Sequence, residues 1–170
     1  VVIATKFGFE LSTGQSRGTD SRPETIRNSV GDSLRRLRTD YIDLLYQHRV
    51  DPNVPIEDVA GTVRELIEAG KVRTLGASNF HAARLKSALD VAMREGLPHY
   101  RVLQPEYNLV SRHKFEGELQ DLCVTHNIGV VPYYGLASGF LTGKYRSEAD
   151  LGKSVRGGRM AAFLESKGGT

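Results

Sequence analysis

Apolar residues along this chain alternate between two patterns. Short unbroken runs of strand length are followed by longer stretches in which apolar positions return every three or four residues. Val1–Phe7 is the first run, ending in Thr5-Lys6-Phe7 and giving way to a polar, glycine-rich loop through Asp20. Ser21-Arg22-Pro23-Glu24 then has the form of a capping box, and Ile26, Val30, Leu34 and Leu37 recur at helical spacing behind it. Ile42–Tyr46 is the second run, interrupted by Gln47-His48 and closed by the turn pair Asp51-Pro52. A helix follows with Ile56, Val59, Ala60, Val63, Leu66 and Ile67 on one stripe, stopping at Gly70. Val72–Ala77 is the third strand, ending in Ser78-Asn79-Phe80, and the next helix turns Ala82, Leu85, Leu89 and Ala92 inward before Gly96. Arg101–Leu103 begins a fourth strand that runs into Gln104-Pro105-Glu106-Tyr107-Asn108. Phe115, Leu119, Leu122 and Cys123 mark another helix, and Ile128–Val131 is a fifth strand ending in Pro132-Tyr133-Tyr134-Gly135.

Strand, helix, strand, helix, with no consecutive strands and no hairpin signal, implies an α/β fold of parallel strands joined by crossover helices. Both a doubly wound sheet and an eightfold barrel satisfy that order. Polar residues gather at the carboxyl ends of the strands: Lys6, His48, Ser78-Asn79, Gln104 and Tyr133. Contributions from five separate strands to one rim favour a barrel, and no Gly-x-Gly-x-x-Gly follows the first strand. A complete barrel takes roughly 250 residues; this chain of 170 holds five or so of its eight units. The expectation is a partial (β/α)8 TIM barrel.

Composition narrows the function classes. A formal charge of +3 and scattered Lys and Arg make no nucleic-acid footprint. Arg35, Arg36 and Arg38 are the densest basic run, at a helix C-terminus where cations are common. The single Cys123 rules out an internal disulfide, and no Cys/His group has metal-ligand spacing. No apolar run reaches the length of a membrane span, so the expectation is a cytoplasmic protein acting on a small molecule, with no membrane or nucleic-acid partner. His81, His99, His113 and His126 match no functional motif and read as surface or helix-flank residues.

Each strand-end residue has a bland explanation: Lys6 as a solvated lysine, His48 as a first loop residue, Ser78-Asn79 as a helix N-cap, Tyr133 as core. Taken together and in order, however, Ala4-Thr5-Lys6, Asp43 to Asp51, Gly76-Ala77-Ser78-Asn79-Phe80, Gln104-Pro105-Glu106-Tyr107-Asn108 and Pro132 to Tyr145 resemble the aldo-keto reductase family. That resemblance implies a (β/α)8-barrel oxidoreductase that uses NADPH, with NADH as the other option, to reduce an aldehyde or ketone carbonyl. It assigns Lys6 as the catalytic lysine that lowers the pKa of an active-site tyrosine, and His48 as the group that orients the substrate carbonyl. It gives Ser78, Asn79 and Gln104 to the nicotinamide carboxamide, Tyr133 to the nicotinamide ring, and Leu136 and Ser138 to the pyrophosphate.

The resemblance also implies a single incomplete domain over residues 1–170, from about strand 3 to strand 7, with strands 1, 2 and 8 outside it. The family's catalytic aspartate and tyrosine belong to the missing part, and neither Tyr41 nor Tyr46 takes the proton donor's place. The chain alone is therefore expected to be inactive and to associate through uncovered strand edges. Two other readings compete. One is a cofactor-holding regulatory subunit of the potassium-channel beta type, with the same barrel. The other is a barrel aldolase with Lys6 as Schiff-base lysine, which leaves Ser78-Asn79, Gln104 and Tyr133 without a common task.

Overall fold

The computed structural model describes residues 1–9, 18–155, 157–159, 161 and 164. The chain forms two compact units, Val1–Pro105 with Glu116–Val131, and Glu106–Phe115 with Pro132–Thr170.

The first unit is built on one sheet in the order β2-β1-β3-β4-β5-β6. Its strands are β1 (Ala4–Phe9), β2 (Thr19–Asp20), β3 (Ile42–Gln47), β4 (Val72–Ser78), β5 (Val102–Gln104) and β6 (Gly129–Val130). From β1 through β6, the strands other than β2 pair in parallel, each to the next. Helices α1 (Pro23–Leu37), α2 (Ile56–Glu68), α3 (Ala82–Glu95) and α4 (Glu118–Thr125) form the crossovers. The alternating order read from the apolar pattern is therefore present, with one correction. β2 is a strand consecutive with β1, and it pairs antiparallel through Gly8–Asp20 and Phe9–Thr19. Two residues carry no periodicity of their own; their pairing comes from β1. The rest of the loop expected up to Asp20, residues 10–17, lies outside the described residues.

Register sorts the sheet into two faces. Phe7, Gln47, Ala77 and Leu103 are neighbours in one row, all buried on the side that α1, α2 and α3 cover. Thr5 faces the same way, its hydroxyl meeting Ser33 of α1. Leu45, Leu75, Ile26, Val30, Val59, Val63, Leu85 and Leu89 complete this core, each almost fully enclosed. On α1 the stripe shifts from expectation. Ser33 is buried and Leu37 is 48% exposed, because the helix ends in a left-handed Arg38 whose N–H reaches the Leu34 carbonyl. Gly96 closes α3 in the left-handed conformation, as its place in the sequence suggested.

The capping box at α1 does not form. Arg22 holds the N-cap position without a side-chain cap, and Pro23 opens the helix. Ser21 is instead drawn into tertiary bonds: its N–H donates to Asp51 at 2.9 Å and its hydroxyl accepts from Gln47. Asp20 serves the helix start in its place. Its carboxylate accepts from the Arg22 backbone and guanidinium and from the Thr25 hydroxyl. The Arg22 bond leads in holding the Asp20 carboxyl at about 2, below the ordinary carboxylate range, with the other donors adding to it. A carboxyl depressed on folding contributes stability that is complete above its unfolded pKa and is lost as pH falls toward the folded one. Asp20→Asn is accordingly expected to flatten the loss of stability between about pH 4 and pH 2, measured by urea unfolding across that window.

In the second unit, Glu106 and Tyr133 form a parallel bridge, and the Tyr107 N–H donates to the Tyr133 carbonyl. The Asn108 amide donates to the Tyr134 carbonyl and accepts from the Val110 N–H, while Glu106 pairs with Lys114. Short 3-10 turns cover Ala137–Thr142 and Glu148–Lys153.

Candidate active site

The sheet face opposite the helix-covered core carries the chemistry. Lys6, Tyr46 and Gly76 are lateral neighbours in a single row of that face. One step toward the carboxyl ends, on the same face, come His48, Ser78 and Gln104; the Ser78–Gln104 pairing is direct. The His48 N–H still donates to the Phe7 carbonyl at 2.9 Å, so the sheet extends to the histidine. Alternation along a strand explains the selection. Gln47 points into the covered core and His48, its neighbour, points away from it.

His48 is half-buried, with its ring edge-on to Phe9 at 4.8 Å between centroids. Burial lowers its pKa, and the charges of Lys6 and Arg49 push in the same direction. All three effects favour the neutral imidazole, which has one nitrogen to donate and one to accept. Lys6 is exposed, and its ammonium lies 5.4 Å from the centroid of the Tyr46 ring. Among the described residues it makes no ion pair.

Ser78 and Asn79 do not cap α3. The cap is His81, whose Nδ1 accepts from the Arg84 N–H at 3.3 Å. That removes the bland explanation for Ser78-Asn79 and gives His81, expected at a helix flank, a definite local task. Ser78 is buried and donates to the Gln104 carbonyl. Asn79 takes a positive φ of 59°, a conformation asparagine tolerates better than most residues, and its amide donates to the His48 carbonyl and to the Ser78 hydroxyl. The ends of β3, β4 and β5 are thus clasped together by side chains at the rim. The Gln104 side-chain amide makes no hydrogen bond among the described residues.

Tyr133, Leu136 and Ser138 belong to the second unit. Tyr133 packs edge-on against Tyr134 at 5.0 Å, and Leu136 is exposed. Tyr134, Ala137, Ser138 and Gly139 all have positive φ within six residues, a concentration of left-handed backbone characteristic of ligand-holding loops. Among the described residues no group of His, Cys, Asp and Glu could hold a metal, and no helix is long and apolar enough to cross a membrane.

Comparison with known proteins identifies the family and the fold. The model of the aldo/keto reductase family matches residues 1–162. A probable voltage-gated potassium channel subunit beta from Oryza sativa is 39% identical over 85% of this chain and 44% of its own length. The L-glyceraldehyde 3-phosphate reductase of Escherichia coli is 32% identical over 85% of this chain and 41% of its own. Among solved structures, the glycerol dehydrogenase of Gluconobacter oxydans aligns with a TM-score of 0.74 and 38% identity, over 85% of this chain and 43% of that one. The chain therefore spans less than half the length of the relatives it matches.

Proposed function

Because this chain belongs to the aldo/keto reductase family and holds part of its (β/α)8 barrel, we propose that the full-length protein is a cytoplasmic oxidoreductase that reduces a small aldehyde or ketone at the expense of NADPH. The observation that carries this reading is the placement of Lys6, His48, Ser78 and Gln104 on one sheet face at successive strand ends. In the proposal a bound nicotinamide supplies the hydride that reaches the carbonyl carbon. Lys6 places a fixed positive charge near the oxygen that gains the proton, favouring the conjugate base of whichever phenol delivers it. Neutral His48 donates a hydrogen bond to the carbonyl oxygen and so fixes which carbonyl face is presented. Gln104 offers a donor and an acceptor matched to a carboxamide, with Ser78 and Asn79 beside it. Tyr133 gives the nicotinamide a flat platform, and Leu136 and Ser138 border the phosphates. The whole of residues 1–170 then forms one incomplete barrel domain.

Carbonyl-dependent loss of NADPH absorbance, catalysed by the full-length protein, is the test. Gln104→Ala is expected to raise the KM for NADPH about tenfold with a smaller change in kcat, the cost of roughly one hydrogen bond pair. A second reading follows from the 39% identity to the Oryza sativa channel subunit: a regulatory protein that holds the cofactor without rapid turnover. Tight NADPH binding without turnover across a panel of aldehydes and ketones would favour it.

A further inference from the structure

Behind the rim lies a buried phenol that the roles above do not use. Tyr100 comes just before β5 and is 5% exposed, yet its side chain reaches the ends of two other strands. Its hydroxyl donates to the Gln47 amide oxygen, and its ring packs against Phe80 with centroids 5.1 Å apart. Gln47 immediately precedes His48, and Phe80 immediately follows Asn79. Gln47 is tied in turn to Ser21, and Ser21 through its N–H to Asp51. All of these partners are buried. Burial also raises the Tyr100 pKa, so the hydroxyl keeps the proton that it donates.

Replacing both sides of such a bond by apolar groups of the same shape is nearly neutral for stability, so the pair calls for a geometric reason. His48 supplies one. In a strand, Gln47 and His48 leave the backbone on opposite faces, so the side chain of one turns the peptide unit that carries the other. The backbone of His48 is held as well, its N–H on the Phe7 carbonyl and its own carbonyl under the Asn79 amide.

We propose that Tyr100 is a positioning residue for the rim, its hydroxyl setting His48 through Gln47 and its ring setting Asn79 through Phe80. The inference rests on His48 and Asn79 serving the carbonyl and the nicotinamide as described above. The two arms leave Tyr100 from different groups, so substitution separates them.

The test uses the full-length protein with 13C-labelled histidine rings. The His48 ring stands edge-on to Phe9 at 4.8 Å, so its nuclear Overhauser contact with that ring reports its placement without turnover. His48→Gln identifies the resonance. Tyr100→Phe removes the hydroxyl and keeps the ring. It is expected to weaken the Phe9 contact and lower kcat about fivefold, leaving the Kd for NADPH within about twofold. Tyr100→Leu removes both arms and is expected to raise that Kd about tenfold as well. Phe80→Leu breaks the ring pair from its other side and is read for the same rise if Tyr100→Leu fails to fold. All measurements are made well below each variant's unfolding midpoint. A Tyr100 that only supports the core would lower that midpoint and leave the His48 contact, kcat and Kd where they were. That outcome overturns the proposal, and so does a His48 contact unmoved in Tyr100→Phe or an NADPH Kd unmoved by loss of the ring pair. If His48→Gln leaves turnover intact while Tyr100→Phe moves the His48 ring as stated, the role of His48 in the reaction fails and its positioning by Tyr100 stands.

Discussion

Replacing Lys6 by methionine is expected to lower kcat for carbonyl reduction at least a hundredfold, roughly what one acid–base component contributes, and to leave the KM for NADPH nearly unchanged. Methionine keeps an unbranched stem of similar reach and removes only the charge. The loss would therefore be read in the chemical step. The same substitution should let the His48 pKa rise, since the Lys6 charge is the second largest cause of its depression after burial. Steady-state kinetics and a histidine NMR titration of the same variant check both parts. A variant that keeps half of wild-type kcat would remove Lys6 from the mechanism.

The largest effect on stability is expected at Gln47→Leu. Gln47 is 1% exposed, and its amide joins three elements. Its oxygen accepts from the buried Tyr100 hydroxyl, and its nitrogen donates to Ser21, whose own N–H is tied to Asp51. Leucine fills nearly the same volume but strands the Tyr100 hydroxyl in a place where burial already pushes its pKa well up. Leaving two buried polar groups without partners costs about 2–4 kcal/mol. Tyr100→Phe alone should cost less, about 1–2 kcal/mol, because Gln47 keeps Ser21. The double variant should cost less than the sum, since it removes both sides of the bond. Urea unfolding midpoints of the three variants decide this. Equal midpoints for Gln47→Leu and wild type would mean that water reaches these groups. Because His48 follows Gln47 directly, loosening of this anchor should also appear as a modest fall in kcat.

Most of the parallel architecture was readable from spacing, since each crossover helix carries its own 3.6-residue stripe and each strand its own apolar run. β2 was not, because two residues bear no pattern and owe their strand to β1. The start of α1 misled for a related reason. Ser21 and Glu24 have the right spacing for a capping box, but Ser21 found stronger partners in Asp51 and Gln47, which lie 30 and 26 residues away. The rim residues Lys6, His48, Ser78 and Gln104 were legible through their position at strand ends and through a family resemblance spread over the chain. Tyr46 was not, since its relation to Lys6 and Gly76 depends on the register between three strands. Register is a property of pairing, which no single segment encodes. His81 as the cap of α3 had a local signal, a nitrogen acceptor three residues before Arg84, that histidine's rarity in this role obscures.

The turn after β4 places two separate demands on position 79. The backbone must adopt a φ of 59°, and the side chain must donate to the His48 carbonyl and to the Ser78 hydroxyl. Glycine satisfies the dihedral and supplies no donor. Aspartate tolerates the dihedral but presents acceptors, and glutamine brings the donors on a stem ill suited to left-handed backbone. Asparagine meets both conditions at low cost where these three do not. The narrowness of choice at this residue thus has a source in the architecture of the rim, before any ligand makes a claim on it.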